Sequence, residues 1–210
     1  TYIADGHHRA ASAYKVSDER KKLNPDHTGN EEYNYFLTVL FPSNQLNIID
    51  YNRIVKDLNS YSEKAFLKKI SGNFIIERIE KTQIKPAKYH EFGMYLAHKW
   101  YALIAKDGTY NNNDPTGALD VSILQNNILS SILNINDPRT DERIDFVGGI
   151  RGLEELEERV DSGEMAVAFA LYPVTIKQLI NIADSGKVMP PKSTWFEPKL
   201  RSGIVAHLLD

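Results

Sequence analysis

The chain of 210 residues predicts an α+β fold, a mostly antiparallel mixed sheet with helices packed on its faces. Three observations carry that reading. About eight strand-like and five helix-like segments follow one another irregularly, without the strict βα alternation of a doubly wound fold. Residues Glu91 to Ile104 hold two apolar runs that meet at a short turn, the pattern of a hairpin. The run Met165-Ala166-Val167-Ala168-Phe169-Ala170-Leu171 sets four large side chains on one face and three alanines on the other. That alternation predicts a central strand packed closely on its alanine side.

The elements follow in order. Thr1 to Ala4 reads as the end of a strand, and His7 to about Leu23 as a helix stopped by Asn24-Pro25. Ala10, Ala11, Ala13 and Tyr14 give that helix a small-residue face suited to close approach to a sheet, and its bases fall late, as the helix dipole prefers. Residues 26–34 are polar loop. Tyr35-Phe36-Leu37-Thr38-Val39-Leu40-Phe41 predicts a buried strand ended by Pro42, with Gln45 to Ile49 as its short partner. Tyr51 to Leu58 fits neither period cleanly. Ser62 caps a helix through Ile70 that Gly72 ends, and Phe74 to Ile79 is a strand. The hairpin turns at Ala97-His98. After the loop Asn111–Pro115, Val121, Leu124, Ile128 and Ile132 share one face of a helix that Asp120 would cap. Ile144 to Val147 is a strand closed by Gly148-Gly149. Gly152 to Asp161 is a helix with Leu153, Leu156 and Val160 inward and its glutamates solvated. Thr175 caps a helix that Gly186 stops, and a last strand lies near Ile204–His207.

Composition bounds the function. Twenty-five basic against 28 acidic residues leave a net charge of −3, which disfavours DNA binding through a broad basic field. The absence of Cys excludes disulfides, thiol catalysis and zinc–thiolate sites. No apolar run reaches the roughly 18 residues of a membrane span. The six His show no His-x-x-x-His spacing, so no protein-only metal site is expected. No Gly-x-x-x-x-Gly-Lys and no Gly-x-Ser-x-Gly is present.

The sharpest feature is Asp5-Gly6-His7-His8-Arg9. A glycine turn opening a helix presents unpaired N–H groups at the positive end of the dipole, which suits phosphate. Arg9 adds a fork for phosphate oxygens, His8 adds a donor, and Gly6 lets the anion approach the backbone. Asp5 could cap the helix, or orient a histidine or a nucleotide hydroxyl. The plain alternative is an ordinary capped helix with surface His and Arg. A second candidate is the tail from Met189 to Gly203, where Lys192, Ser193 and Thr194 are candidate substrate or anion contacts among prolines and aromatics, followed by Lys199, Arg201 and Ser202. Its plain alternative is a rigid connector.

The stretch Tyr2 to Ala11 resembles the phosphate-binding motif of the ParB/sulfiredoxin-like superfamily, and more narrowly the domain of unknown function 1015 family, relatives of the archaeal ADP-dependent free serine kinase. Glu91–Leu96, Phe146–Ile150, Ala168–Pro173, Met189–Phe196 and Pro198–Leu200 are similar to that family as well. The resemblance implies that Asp5, His7, His8 and Arg9 hold the phosphates of ADP or ATP, with magnesium held mainly by the nucleotide. It implies kinase-like transfer to a small-molecule substrate and a catalytic base upstream of the motif, hence before Thr1. The opening in mid-motif predicts a fragment lacking its N-terminal half, with an uncovered edge that favours a homodimer. The expected division is a remnant phosphate-binding subdomain, residues 1–41, and an α+β domain, residues 42–210, or one compact unit. The expected location is cytoplasmic. The rival readings are a ParB-like nucleotide-gated DNA-binding regulator and a scaffold without chemistry.

Overall fold

A computed structural model describes residues 1–79, 83–201 and 203–209; Ser202 lies outside the described residues. These residues form two compact units, one of residues 48–195 and one of residues 1–47 with 196–210. Among them are five α-helices and eight strands, so the α+β class holds.

The unit 48–195 is built on a six-stranded antiparallel sheet. Its strands are β2 (Tyr51–Val55), β3 (Phe74–Ile79), β4 (Glu91–Leu96), β5 (Lys99–Ala105), β6 (Ile144–Gly148) and β7 (Val167–Leu171), in the spatial order β3-β5-β4-β7-β2-β6. The register places Met94 and Arg53 on either side of Phe169, and Phe146 on the far side of Arg53. The hairpin β4–β5 turns at Ala97 and His98, both at positive φ (49° and 59°). That conformation is the one a two-residue turn needs to follow strand twist, reached here without glycine. Strand β7 is central, as its alternation predicts. Val167, Phe169 and Leu171 enter a large core with Phe66, Phe74, Phe92 and Leu124. Ala168 and Ala170 face Leu156 and Val160, from helix α4 (Glu154–Asp161), in a smaller core. Met165 belongs to that smaller core and not to the Val167 face, because the strand begins only at Val167 and the preceding residues follow another path.

The helices of this unit follow local signals. The Ser62 hydroxyl accepts the Ala65 N–H at the start of α2 (Glu63–Ile70). Thr175 and Gln178 form a reciprocal capping box on α5 (Ile176–Asp184). Helix α3 (Asp120–Leu124) departs from expectation. Its cap is Leu119, and the Asp120 carboxylate instead accepts the His90 N–H at 2.8 Å. The helix then widens into a π-helical turn over Gln125–Ser130, still burying Val121, Leu124, Ile128 and Ile132. The glutamates of α4 are not all solvated: Glu157 accepts the Trp100 indole N–H at 2.7 Å.

The other unit contains α1 (His7–Leu23), ended at Asn24, and a 3-10 turn at Glu32–Asn34. No residue of α1 is buried, and Ala10 and Ala13 of its small-residue face are only half-buried. Tyr33 is buried and takes contacts from Asn24 and His27. Residues 1–4 and 35–41 are not strands, and neither is the stretch 204–207. Tyr35 to Leu40 is exposed throughout. Apolar, β-prone sequence made these segments read as strands, but a strand needs a partner ladder, and none pairs with them among the described residues. Strand β1 (Asn47–Ile49) pairs instead with β8 (Trp195–Glu197), a strand hidden in the proline-rich tail.

Candidate functional site

The turn before α1 is built by Gly6. Its φ of 79° lies in the left-handed region, and a Cβ there would sit 2.7 Å from the Arg9 guanidinium. Glycine is therefore required both by the backbone and by the way Arg9 folds back over the turn. No side chain caps the helix, so Asp5 is not its cap. Asp5 accepts the Gly6 N–H at 2.7 Å and pairs with Lys199 at 3.1 Å. Partial burial raises the Asp5 pKa, but the bonds from Lys199 and Gly6 and the charge of Arg9 outweigh it and hold the carboxyl below its ordinary value. Asp5 thus braces the turn as an anion. His7, His8 and Arg9 are exposed, with the two imidazoles 4.1 Å apart between ring centres. The result is a helix N-terminus without an acidic side chain in its first turn, flanked by one guanidinium and two imidazoles. Such an end attracts an oxyanion.

The tail candidates sit in the other unit and are differently engaged. The Ser193 hydroxyl is buried and donates to the Pro190 carbonyl at 2.6 Å. Lys192 has φ of 55°, and its ammonium lies over the rings of Tyr51 and Phe146. Thr194 is half-buried. The carbonyl of Lys192 accepts from Arg53 at 2.8 Å. Gly148 and Gly149 are packing glycines: a Cβ on the first would strike Trp195, and on the second the Asp50 carboxylate.

Two groups of the unit 48–195 escaped the sequence reading. Arg53 lies mid-strand in β2 and is 4% exposed, its guanidinium donating to the carbonyls of Tyr51 and Lys192. Burial lowers its pKa to about 10, so it stays cationic at neutral pH. The available signal was a charged residue directly before Ile54-Val55 in a segment of uncertain period. Asp120 is buried as well. Desolvation, helped by the charge of Glu91 and opposed by the His90 N–H, pushes its pKa up to about 7. Among the described residues, no group of three or more His, Asp or Glu is arranged to hold a metal ion, and no helix is long and apolar enough to cross a membrane.

The family described as "Protein of unknown function (DUF1015)" matches residues 1–122. That span takes in Gly6–Arg9, Arg53 and Asp120, whereas the similar stretches after residue 122 lie beyond it. No curated protein matches the chain. Among solved structures, free serine kinase in complex with AMP is similar at 16% identity and a TM-score of 0.44, over 92% of this chain and 66% of that one. A mutant of free serine kinase in complex with ADP gives 15% and 0.43 over the same shares. A conserved hypothetical protein from Pyrococcus furiosus gives 16% and 0.45, over 92% of this chain and 68% of that one. The chain spans just under two thirds of the free serine kinase chains it matches.

Proposed function

The chain belongs to the family described as "Protein of unknown function (DUF1015)", and from that premise we propose that its Gly6–Arg9 turn binds the phosphates of a nucleotide, ADP or ATP, in a kinase-like protein acting on a small hydroxyl-bearing molecule of the free-serine kind. The observation that carries the reading is the turn itself: a left-handed Gly6, an uncapped helix start, and the Arg9 guanidinium held over it.

Each residue has a separable task. The N–H groups of His7, His8 and Arg9 lie in the first helical turn, where no side chain caps them, and they face an incoming phosphate with the helix dipole behind them. Arg9 supplies two parallel N–H donors to the same oxygens. His7 and His8 add donors whose strength grows when they are protonated. Asp5, paired with Lys199 and bonded to Gly6, is a positioning residue: it fixes the turn and does not itself meet the anion. Phosphoryl transfer asks mainly for positioning and charge stabilisation, which this arrangement can provide. Magnesium would arrive on the nucleotide and rest mainly on its phosphates.

Isothermal titration with ADP, ATP and inorganic phosphate tests the reading. The wild-type chain is expected to bind at least the nucleotides. Arg9→Ala is expected to weaken them by about 10-fold or more, from the loss of a charge-assisted pair. Equal binding by wild type and Arg9→Ala, or none by either, would overturn it.

A further inference from the structure

The unit 48–195 contains a cavity of about 620 Å³, within the range that holds small molecules. Its lining includes the polar residues Arg53, Thr116, Ser122, Gln125, Asn126 and Asn136. Gln125 and Asn126 are placed there by the π-helical turn after α3, which breaks the regular helix where it meets the cavity.

Two independent observations at this cavity are unexplained by the fold. The first is Arg53. A buried guanidinium ordinarily faces a carboxylate, because an uncompensated buried charge is costly. Arg53 has none among the described residues: its partners are the carbonyls of Tyr51 and Lys192 and the ring of Phe146. Guanidinium has five N–H donors, so two carbonyls leave capacity over. The second is Thr116. Its Oγ1 is shielded from water and makes no hydrogen bond, the one such side-chain atom among the described residues. Buried polar groups are nearly always paired; Thr116 is among the residues that line the cavity, and a change of its χ1 rotamer would bring the unpaired hydroxyl to a ligand there.

The acids on the cavity wall do not neutralise Arg53. Asp137 is held by Arg139 through both carboxylate oxygens, and Asp114 by Lys187 at 2.8 Å and by the Thr116 N–H. These pairs close on themselves and leave the Arg53 charge outstanding.

We propose that this cavity binds a small molecule bearing an oxyanion, a carboxylate or a phosphate, with Arg53 as the partner of the anionic group and Thr116 Oγ1 as a hydrogen-bond partner of the same ligand. All of the lining residues belong to the unit 48–195, and the proposal stands without the nucleotide reading. Arg53 is its cation, and the tail contributes Pro190 and Pro191 to the wall.

The test titrates inorganic phosphate and succinate separately into the full chain, following the arginine Nε–H signals by NMR alongside calorimetry. Saturable binding of one or both ions that shifts the Arg53 signal is expected, and the ion that binds identifies the anion class. Arg53→Met should abolish it. Thr116→Val, which keeps shape and removes the hydroxyl, should weaken it by about 3-fold to 10-fold, the worth of roughly one hydrogen bond. The same Thr116→Val variant should raise the melting temperature of the ligand-free protein, since it removes an unsatisfied buried group. Arg9→Ala should leave the Arg53 shift intact. Absence of a shift with either ion at about 10 mM, weaker than any useful metabolite affinity, would overturn the proposal. So would binding that survives Thr116→Val unchanged or disappears with Arg9→Ala.

Discussion

Two apolar runs of seven residues meet opposite fates in this molecule. Tyr35 to Phe41 is richer in aromatic and β-branched residues than Met165 to Leu171, and so more β-prone. The second runs as β7 through the middle of a six-stranded sheet, with every residue from Val167 to Leu171 buried. The first forms no strand, and Tyr35 to Leu40 lies open to solvent. The difference extends to the units that hold them. Residues 48–195 bury two hydrophobic clusters on the sheet's two faces. Residues 1–47 with 196–210 expose Tyr2, Ile3, Tyr14, Leu37, Ile204 and Val205, and no residue of their helix is buried. Hydrophobicity supplies a driving force, but burial needs a facing surface. The candidate phosphate turn sits in the unit held by polar contacts, such as Glu31 with Thr28 and Gly29, and Lys199 with Asp5.

The sharpest way to break this contrast is a matched pair of truncations. Phe169→Ala is expected to cost about 3–5 kcal/mol, as cavity-forming aromatic losses do. Leu40→Ala should stay within about 0.5 kcal/mol, as exposed positions do. Urea denaturation of both variants checks this, and a Leu40→Ala loss near that of Phe169→Ala would abolish the distinction.

Asp120 gives the next largest effect. Its pKa is raised on folding to about 7, so the native state binds the proton more tightly than the unfolded one. The stabilisation is fully present below about pH 4 and is lost as pH rises to about 7. Its size is at most on the order of 3–4 kcal/mol. Asn keeps an acceptor for the His90 N–H without the charge, so Asp120→Asn should be more stable than wild type at pH 8. That advantage should vanish near pH 4. A difference independent of pH would show that the carboxyl titrates normally.

The smallest effect sharpens the contrast from the other side. Gly6→Ala forces an L side chain to a φ of 79° against Arg9 and should cost about 1 kcal/mol. Because α1 has no buried face, the loss should stay local. Faster amide exchange at residues 7–11 with β7 unchanged is the expected pattern, and accelerated exchange throughout the sheet would contradict it.

Much of the unit 48–195 was legible from local signals. Ser62 and Thr175 mark helix starts because their hydroxyls cap within three residues. Strands β3, β4 and β7 were marked by runs with a clear period. Asp120 misled because its side chain answers a backbone N–H thirty residues away, not its own helix. Arg53 and Thr116 carried little local signal: one is a charge directly before Ile54-Val55 in a segment of uncertain period, the other one threonine among many. Their meaning arises only where β2, the loop before α3 and the tail converge on one cavity.

The amino-acid sequence by itself determined the α+β class, the capped helices, the hairpin and the Gly6–Arg9 turn, because each depends on side chains reaching a few residues along the chain. The tertiary structure decided which apolar runs became strands, which charge was left buried without a counterion, and where a cavity formed. Those outcomes depend on pairing and desolvation between segments far apart in sequence, and no short stretch of residues contains its own partner.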